Sequence, residues 1–211
     1  MSVKFIKICG ITRLEDAQAA VAAGANALGF VFWPKSPRYI EPAKARGIVA
    51  TLPPSIHAVG VFVDQAAADV NRIAEEVGLS QVQLHGDETK KYVQEMKRPV
   101  IKAVAVGVEE SAVLGTWPSE VTVLLDVHDP VRKGGTGKVI DWVVAAEIAK
   151  LRPIILAGGL TPENVGEAIA RVRPYGIDVS SGVEAQPGIK DHKRLAALFE
   201  AVHGSDYATR S

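Results

Sequence analysis

The chain opens with the run Phe5-Ile6-Lys7-Ile8-Cys9, then Gly10-Ile11-Thr12-Arg13, then Leu14-Glu15-Asp16-Ala17-Gln18-Ala19-Ala20-Val21-Ala22-Ala23-Gly24, then Ala27-Leu28-Gly29-Phe30-Val31-Phe32. A short apolar run gives way to a turn, an Ala-rich amphipathic stretch, a glycine and a second apolar run. That is one strand–helix–strand unit. The same unit recurs along the chain, and eight apolar runs result: Phe5–Cys9, Ala27–Phe32, His57–Val63, Gln81–Leu84, Val100–Val104, Val121–Asp126, Pro153–Leu156 and Gly176–Val179. They are apolar on both sides of the alternation, as strands covered on both faces are. Eight such units in 211 residues predict a compact α/β fold, a single-domain (β/α)8 TIM barrel, near the lower size limit of roughly 200 residues. The alternative is an open doubly wound sheet.

Helix punctuation follows the same units. Thr12-Arg13-Leu14-Glu15 reads as a capping box. Thr161-Pro162-Glu163 reads as a cap, a proline at the first helical position and an acid near the positive helix end. Gly24, Gly78 and Gly176 fall where a left-handed residue closes a helix before the next strand. The barrel is assigned to residues 1–204 and a fraying polar tail to 205–211.

Composition narrows the function classes. Lys+Arg and Asp+Glu are both 24, for a net charge of zero. This lacks the basic excess of a nucleic-acid partner. A single cysteine excludes an internal disulfide and fits a reducing, cytoplasmic setting. No apolar stretch approaches the roughly 20 residues of a membrane span, and the first residues are too short an apolar run for a signal peptide. Neither a monomer nor a homodimer is singled out.

In a barrel of this kind, chemistry collects at the C-terminal strand ends. Reading those ends gives Cys9, Arg38, Asp64, His85, Asp126, Gly158-Gly159 and Ser180-Ser181-Gly182. Cys9 reads either as a small buried hydrophobe or as a thiolate base favoured by the helix that follows it. Asp126 closes Val121-Thr122-Val123-Leu124-Leu125, so it is either a capping acid or a desolvated carboxyl able to hold a proton near neutrality. Arg38 follows Ser36-Pro37 and is either a planar clasp for a carboxylate or a surface cation. His85 has no second histidine at ligand spacing and reads as a positioning or structural group rather than a metal ligand. Gly158-Gly159-Leu160-Thr161 and Ser181-Gly182 follow the last two strands, where backbone amides hold phosphate in many barrels. Gly134-Gly135-Thr136-Gly137-Lys138 fails the P-loop pattern, which requires Ser or Thr where Val139 stands. It reads as a loop that folds over a ligand, or as plain surface.

Taken in order, several segments resemble the phosphoribosylanthranilate isomerase family of tryptophan biosynthesis. They are Lys7-Ile8-Cys9-Gly10-Ile11-Thr12, Gly29-Phe30-Val31-Phe32 with Ser36-Pro37-Arg38, Val59 to Val63, Val82 to Gly86, Leu124-Leu125-Asp126 with Gly134 to Gly137, Leu156 to Leu160, and Asp178 to Glu184. The match runs from Lys4 to about Phe199. The resemblance implies an Amadori rearrangement of N-(5-phosphoribosyl)anthranilate, with Cys9 as general base and Asp126 as general acid. It also implies Arg38 on the anthranilate carboxylate, Gly158, Gly159, Ser181 and Gly182 on the phosphate, and His85 and Asp178 near the sugar. Neither metal nor cofactor is implied, because the substrate's own nitrogen serves as electron sink. A metal-dependent epimerase would add a His–carboxylate ligand set at strand ends. An indole-glycerol-phosphate synthase would add catalytic Lys and Glu there. A non-catalytic phospholigand barrel would lack Cys9 or Asp126.

Overall fold

The computed structural model describes residues 3–105, 117–126 and 141–208, with side chains to 204. Eight parallel strands close into a barrel in sequence order: β1 Phe5–Cys9, β2 Ala27–Val31, β3 His57–Phe62, β4 Gln81–Leu84, β5 Val100–Ala105, β6 Thr122–Asp126, β7 Ile154–Leu156 and β8 Gly176–Val179. The seam is the β1–β8 pairing, in which Lys7 lies opposite Asp178. Seven described helices surround it: α1 Leu14–Ala23, α2 Pro42–Val49, α3 Ala67–Val77, α4 Lys90–Val93, α5 Trp142–Leu151, α6 Val165–Val172 and α7 His192–Ala208. A turn of 3₁₀ helix at Ser181–Val183 leads into an antiparallel hairpin, β9 Glu184–Gln186 and β10 Ile189–Lys190. None of the described helices is long and apolar enough to cross a membrane.

Strand alternation sorts side chains into two cores. Ile6, Ile8, Leu28, Phe30, Phe62, Val82, Leu84, Val123 and Leu125 point outward and pack with helix residues such as Ala17, Ala20, Ile73 and Leu198. This shell carries most of the apolar burial. Inside the barrel, Phe5, Ala27, Val59, Ile101, Ala103, Leu124, Ile155 and Ala157 form a separate apolar plug. Above it sit Cys9, Val31 and Val61, against Trp33. The plug closes the barrel floor, so the mouth at the C-terminal strand ends is a pit rather than a pore.

Four punctuation readings are corrected or refined. Gly24 and Gly78 do close α1 and α3 in the left-handed conformation, at φ 116° and 79°. Gly176 does not. The left-handed residue after α6 is Arg173 (φ 53°), and Gly176 already lies in β8, where an added Cβ would come 2.7 Å from Phe5. Thr12 forms no capping box. α1 begins at Leu14 with Arg13 as its N-cap, and the Thr12 hydroxyl donates across the barrel end to the Gly188 carbonyl instead. Thr161-Pro162-Glu163 is a turn before α6, which starts at Val165. Finally, α7 continues to Ala208, four residues into the stretch that polarity assigns to a tail.

Candidate active site

A cavity of about 570 Å³ opens at the C-terminal ends of the strands, and its walls include Cys9, Arg38, His85, Asp126, Gly158, Gly159, Asp178 and Ser181. Gly182, next to the lining residue Ser181, is buried, and its carbonyl accepts from Arg194 Nε at 2.9 Å. The barrel thus brings together residues separated by most of the chain. The segment Gly134 to Lys138 lies outside the described residues.

Cys9 ends β1 pointing inward, and burial dominates its chemistry. Desolvation pushes the thiol above the ordinary cysteine value, Lys7 and Lys190 pull it down, and Asp178 pushes it up again. The expected acidification by a helix N-terminus is therefore corrected. α1 starts five residues further on, at Leu14, and the nearby positive charges are lysines. Lys7 is fully buried and donates to Asp178 at 2.9 Å. Burial pulls the ammonium down, but Asp178 and Cys9 outweigh it and hold Lys7 above the usual lysine value. Sequence reading passed over Lys7 as one residue of an apolar strand. Its signal was a lysine two positions before a strand-end cysteine, on the same inward face.

Asp126 ends β6, buried at 8% exposure. His85 Nε2 lies 3.3 Å from Asp126 Oδ2, and His85 Nδ1 lies 3.2 Å from Gln83 Nε2. His85 is thus a partner of Asp126 at the cavity wall. Its loop is pinned from outside the barrel. The Glu88 carboxylate accepts from Asp64 N at 3.0 Å, Gly86 N at 2.9 Å and Lys102 Nζ at 2.7 Å. Neither Glu88 nor Lys102 was read from the sequence as part of this support.

Arg38 is not a lone cation. Its Nε and Nη2 form a fork on Glu184, at 2.9 Å and 2.7 Å to the two carboxylate oxygens. Lys190 Nζ lies on the other side of Glu184, at 2.8 Å, and also donates to the carbonyl of Cys9 at 2.6 Å and to that of Ser180 at 3.3 Å. Burial raises Glu184, but Arg38 and Lys190 outweigh it and hold the carboxyl below the usual range. The β9–β10 hairpin therefore ties the ends of β1 and β8 to the loop that carries Arg38.

The loop after β7 carries a pair of left-handed glycines. Gly158 and Gly159 take φ 82° and 67°, a pair of left-handed residues that only glycine adopts without strain. Asn164 locks them. Its amide donates to the Gly159 carbonyl at 2.9 Å, and its oxygen accepts from Thr161 N at 2.8 Å. Asn164 is a further residue that spacing did not reveal.

Residues 6–201 match the family model described as N-(5'-phosphoribosyl)anthranilate (PRA) isomerase. A relative from Pseudomonas fluorescens (strain Pf0-1), named N-(5'-phosphoribosyl)anthranilate isomerase, is 50% identical over 204 residues, covering 96% of this chain and all of that one. A crystal structure of phosphoribosyl anthranilate isomerase from Thermotoga maritima superposes with a TM-score of 0.88 at 43% identity, over 97% of this chain and all of that one. Another, at TM-score 0.85 and 42% identity over 97% of this chain and all of that one, holds reduced 1-(o-carboxyphenylamino)-1-deoxyribulose 5-phosphate.

Proposed function

The chain belongs to the N-(5'-phosphoribosyl)anthranilate isomerase family, and we propose that the cavity at its barrel mouth performs that isomerisation with Cys9 as base and Asp126 as acid. The overall reaction is an aldose–ketose rearrangement in tryptophan biosynthesis: N-(5-phosphoribosyl)anthranilate becomes 1-(2-carboxyphenylamino)-1-deoxyribulose 5-phosphate. Asp126 gives a proton to the ribose ring oxygen and the ring opens to an iminium. The positive nitrogen acidifies the C2 proton, which Cys9 removes. The enolamine then accepts a proton at C1 and its C2 hydroxyl becomes the ketone. Each proton transfer of this kind contributes typically 10²–10⁴-fold when the group is positioned.

One observation carries the assignment: β1 and β6 place Cys9 and Asp126 on the wall of a single cavity that also contains the glycine loop after β7. The supporting parts divide the substrate. The amides around Gly158, Gly159, Ser181 and Gly182 suit the phosphate at one side. Arg38, aimed by Glu184, suits the anthranilate carboxylate. His85 positions the acid, and Asp178 lies close enough to the cavity to meet a sugar hydroxyl. A solved Thermotoga maritima relative consists of monomers generated from a dimeric isomerase, and in this chain the cavity that holds Cys9 and Asp126 is lined by residues of one subunit.

The test is the fluorescence decrease of N-(5-phosphoribosyl)anthranilate on adding purified protein. Turnover should be lost in both Cys9→Ala and Asp126→Asn while circular dichroism stays unchanged. Full activity in either folded variant would remove that residue from the mechanism.

A further inference from the structure

Among the buried charges, Lys7 has no task in the mechanism. Lys7 is fully buried in the barrel interior, between the apolar plug and the cavity, and apolar strands rarely admit a lysine unless it is paired. Its ammonium hydrogen-bonds Asp178, and its stem lies beside Cys9 on the same inward face. The backbone is shaped to allow this. At Gly29, which lies opposite Cys9 on β2, a Cβ would come 2.7 Å from Cys9 Sγ and 3.0 Å from Lys7 Cε. Only the missing side chain there lets sulfur and ammonium stem share the space.

We propose that Lys7 is a positioning residue that sets the charge on Cys9, with Asp178 as the competing anion of a three-member buried cluster. The inference rests on the reading of Cys9 as base. The other charged groups facing Cys9 are Lys190, on its carbonyl from β10, Glu184 of β9, paired with Lys190, and Arg38 from the loop after β2. β2 and β3 contribute only Gly29, Val31 and Val61.

A charge count gives the signs. With Cys9 as a thiol, ammonium and carboxylate cancel and the cluster is neutral. Loss of the thiol proton leaves it at −1. Without Lys7 the same step goes from −1 to −2, which burial makes far harder. Without the Asp178 charge it goes from +1 to 0, which burial favours. Because the three groups are coupled, the midpoint belongs to the cluster rather than to one atom. Removal of the two members of one ion pair thus moves Cys9 in opposite directions. A merely structural ion pair would make both variants equally loose.

The experiment is alkylation of the full-length protein by iodoacetamide as a function of pH, read by mass. Cys9 is the only cysteine in the chain, so one adduct reports it. Lys7→Met should move the midpoint up and slow alkylation at pH 8 by roughly tenfold or more, from the effect of an opposite charge at short range. Asp178→Asn should move the midpoint down and speed alkylation at the same pH. Lys7→Arg should restore most of the wild-type profile. If Lys7→Met does not fold, Asp178→Asn and Lys7→Arg still decide: an unchanged or upward midpoint in Asp178→Asn overturns the proposal, as does a Lys7→Arg midpoint well above that of the wild type. The two readings fail separately. Shifted midpoints with full activity in Cys9→Ala would keep the cluster and remove the base, whereas unshifted midpoints with an inactive Cys9→Ala would do the reverse.

Discussion

Substituting Gly182 by alanine isolates the packing of the two loops proposed to hold the phosphate. The backbone of Gly182 is not left-handed, so alanine is conformationally acceptable. Space is the obstacle. A Cβ there would stand 1.9 Å from the Leu160 carbonyl oxygen, 2.9 Å from its carbon and 3.1 Å from Thr161 Cα. Real Cβ contacts do not fall below 3.0 Å, so the two loops must separate by about 1.1 Å, and every atom in the way is backbone. Overpacking of this kind costs about 1–3 kcal/mol, which for a chain of this size lowers Tm by roughly 2–12 °C. The functional effect is larger than the stability effect. Leu160 continues directly from Gly158-Gly159, and a displacement near 1 Å at a positioned site can cost about 10²-fold. Calorimetric titration with inorganic phosphate should show affinity down by roughly 10–100-fold, and kcat/KM should fall with it. Unchanged phosphate affinity together with an unchanged Tm would refute the idea that close contact of these loops builds the anion site.

Gly47→Ala is the counterpart: Gly47 is exposed on α2, nothing lies within 4 Å of an added Cβ, and the variant should be stabilised by about 0.4–1 kcal/mol in a urea titration. Asp126→Asn should lower kcat by roughly 10²–10⁴-fold in the fluorescence assay with Tm nearly unchanged, since the amide cannot deliver the ring-opening proton. Asp16 is fully buried against Arg13, Lys190 N and His192; burial raises its carboxyl, but these partners outweigh it and hold the value below the usual range. Its contribution is therefore present above the unfolded-state value near 4 and is lost as pH falls through the lower folded value. The Tm gap between wild type and Asp16→Asn should be wide at pH 7 and should shrink steadily below about pH 4; a gap independent of pH would mean the carboxylate charge contributes nothing.

What sequence makes legible here is what depends on local pattern. β1, β4 and β8 begin and end where the apolar runs do. Cys9, His85 and Asp126 were identifiable because each closes such a run on the inward side. Arg38's partner was not, because Glu184 lies 146 residues away and its approach depends on a hairpin only two and three residues long. The capping box failed for a related reason: the Thr12 hydroxyl has a tertiary acceptor in Gly188, and a distant carbonyl overrides a local motif. Asn164 gives no local signal, because Thr161-Pro162 has the pattern of a helix start, whereas Asn164 stabilises the turn before α6.

The seam of the barrel carries a further consequence, for how the chain closes on itself. Lys7 emerges early in synthesis and its counter-ion Asp178 comes 171 residues later. At about 5–20 residues per second, that is a wait of roughly 9–34 s. Until then, any pairing of β1 that covers Lys7 leaves an ammonium in an apolar surround with no carboxylate beside it, a burial that costs several kcal/mol. Closure one residue out of register would place Lys7 beside Ile177 or Val179. The two charges therefore act as a key between the first and last strands. They penalise premature or slipped rings and reward only the closed barrel in which Cys9 also acquires its neighbours.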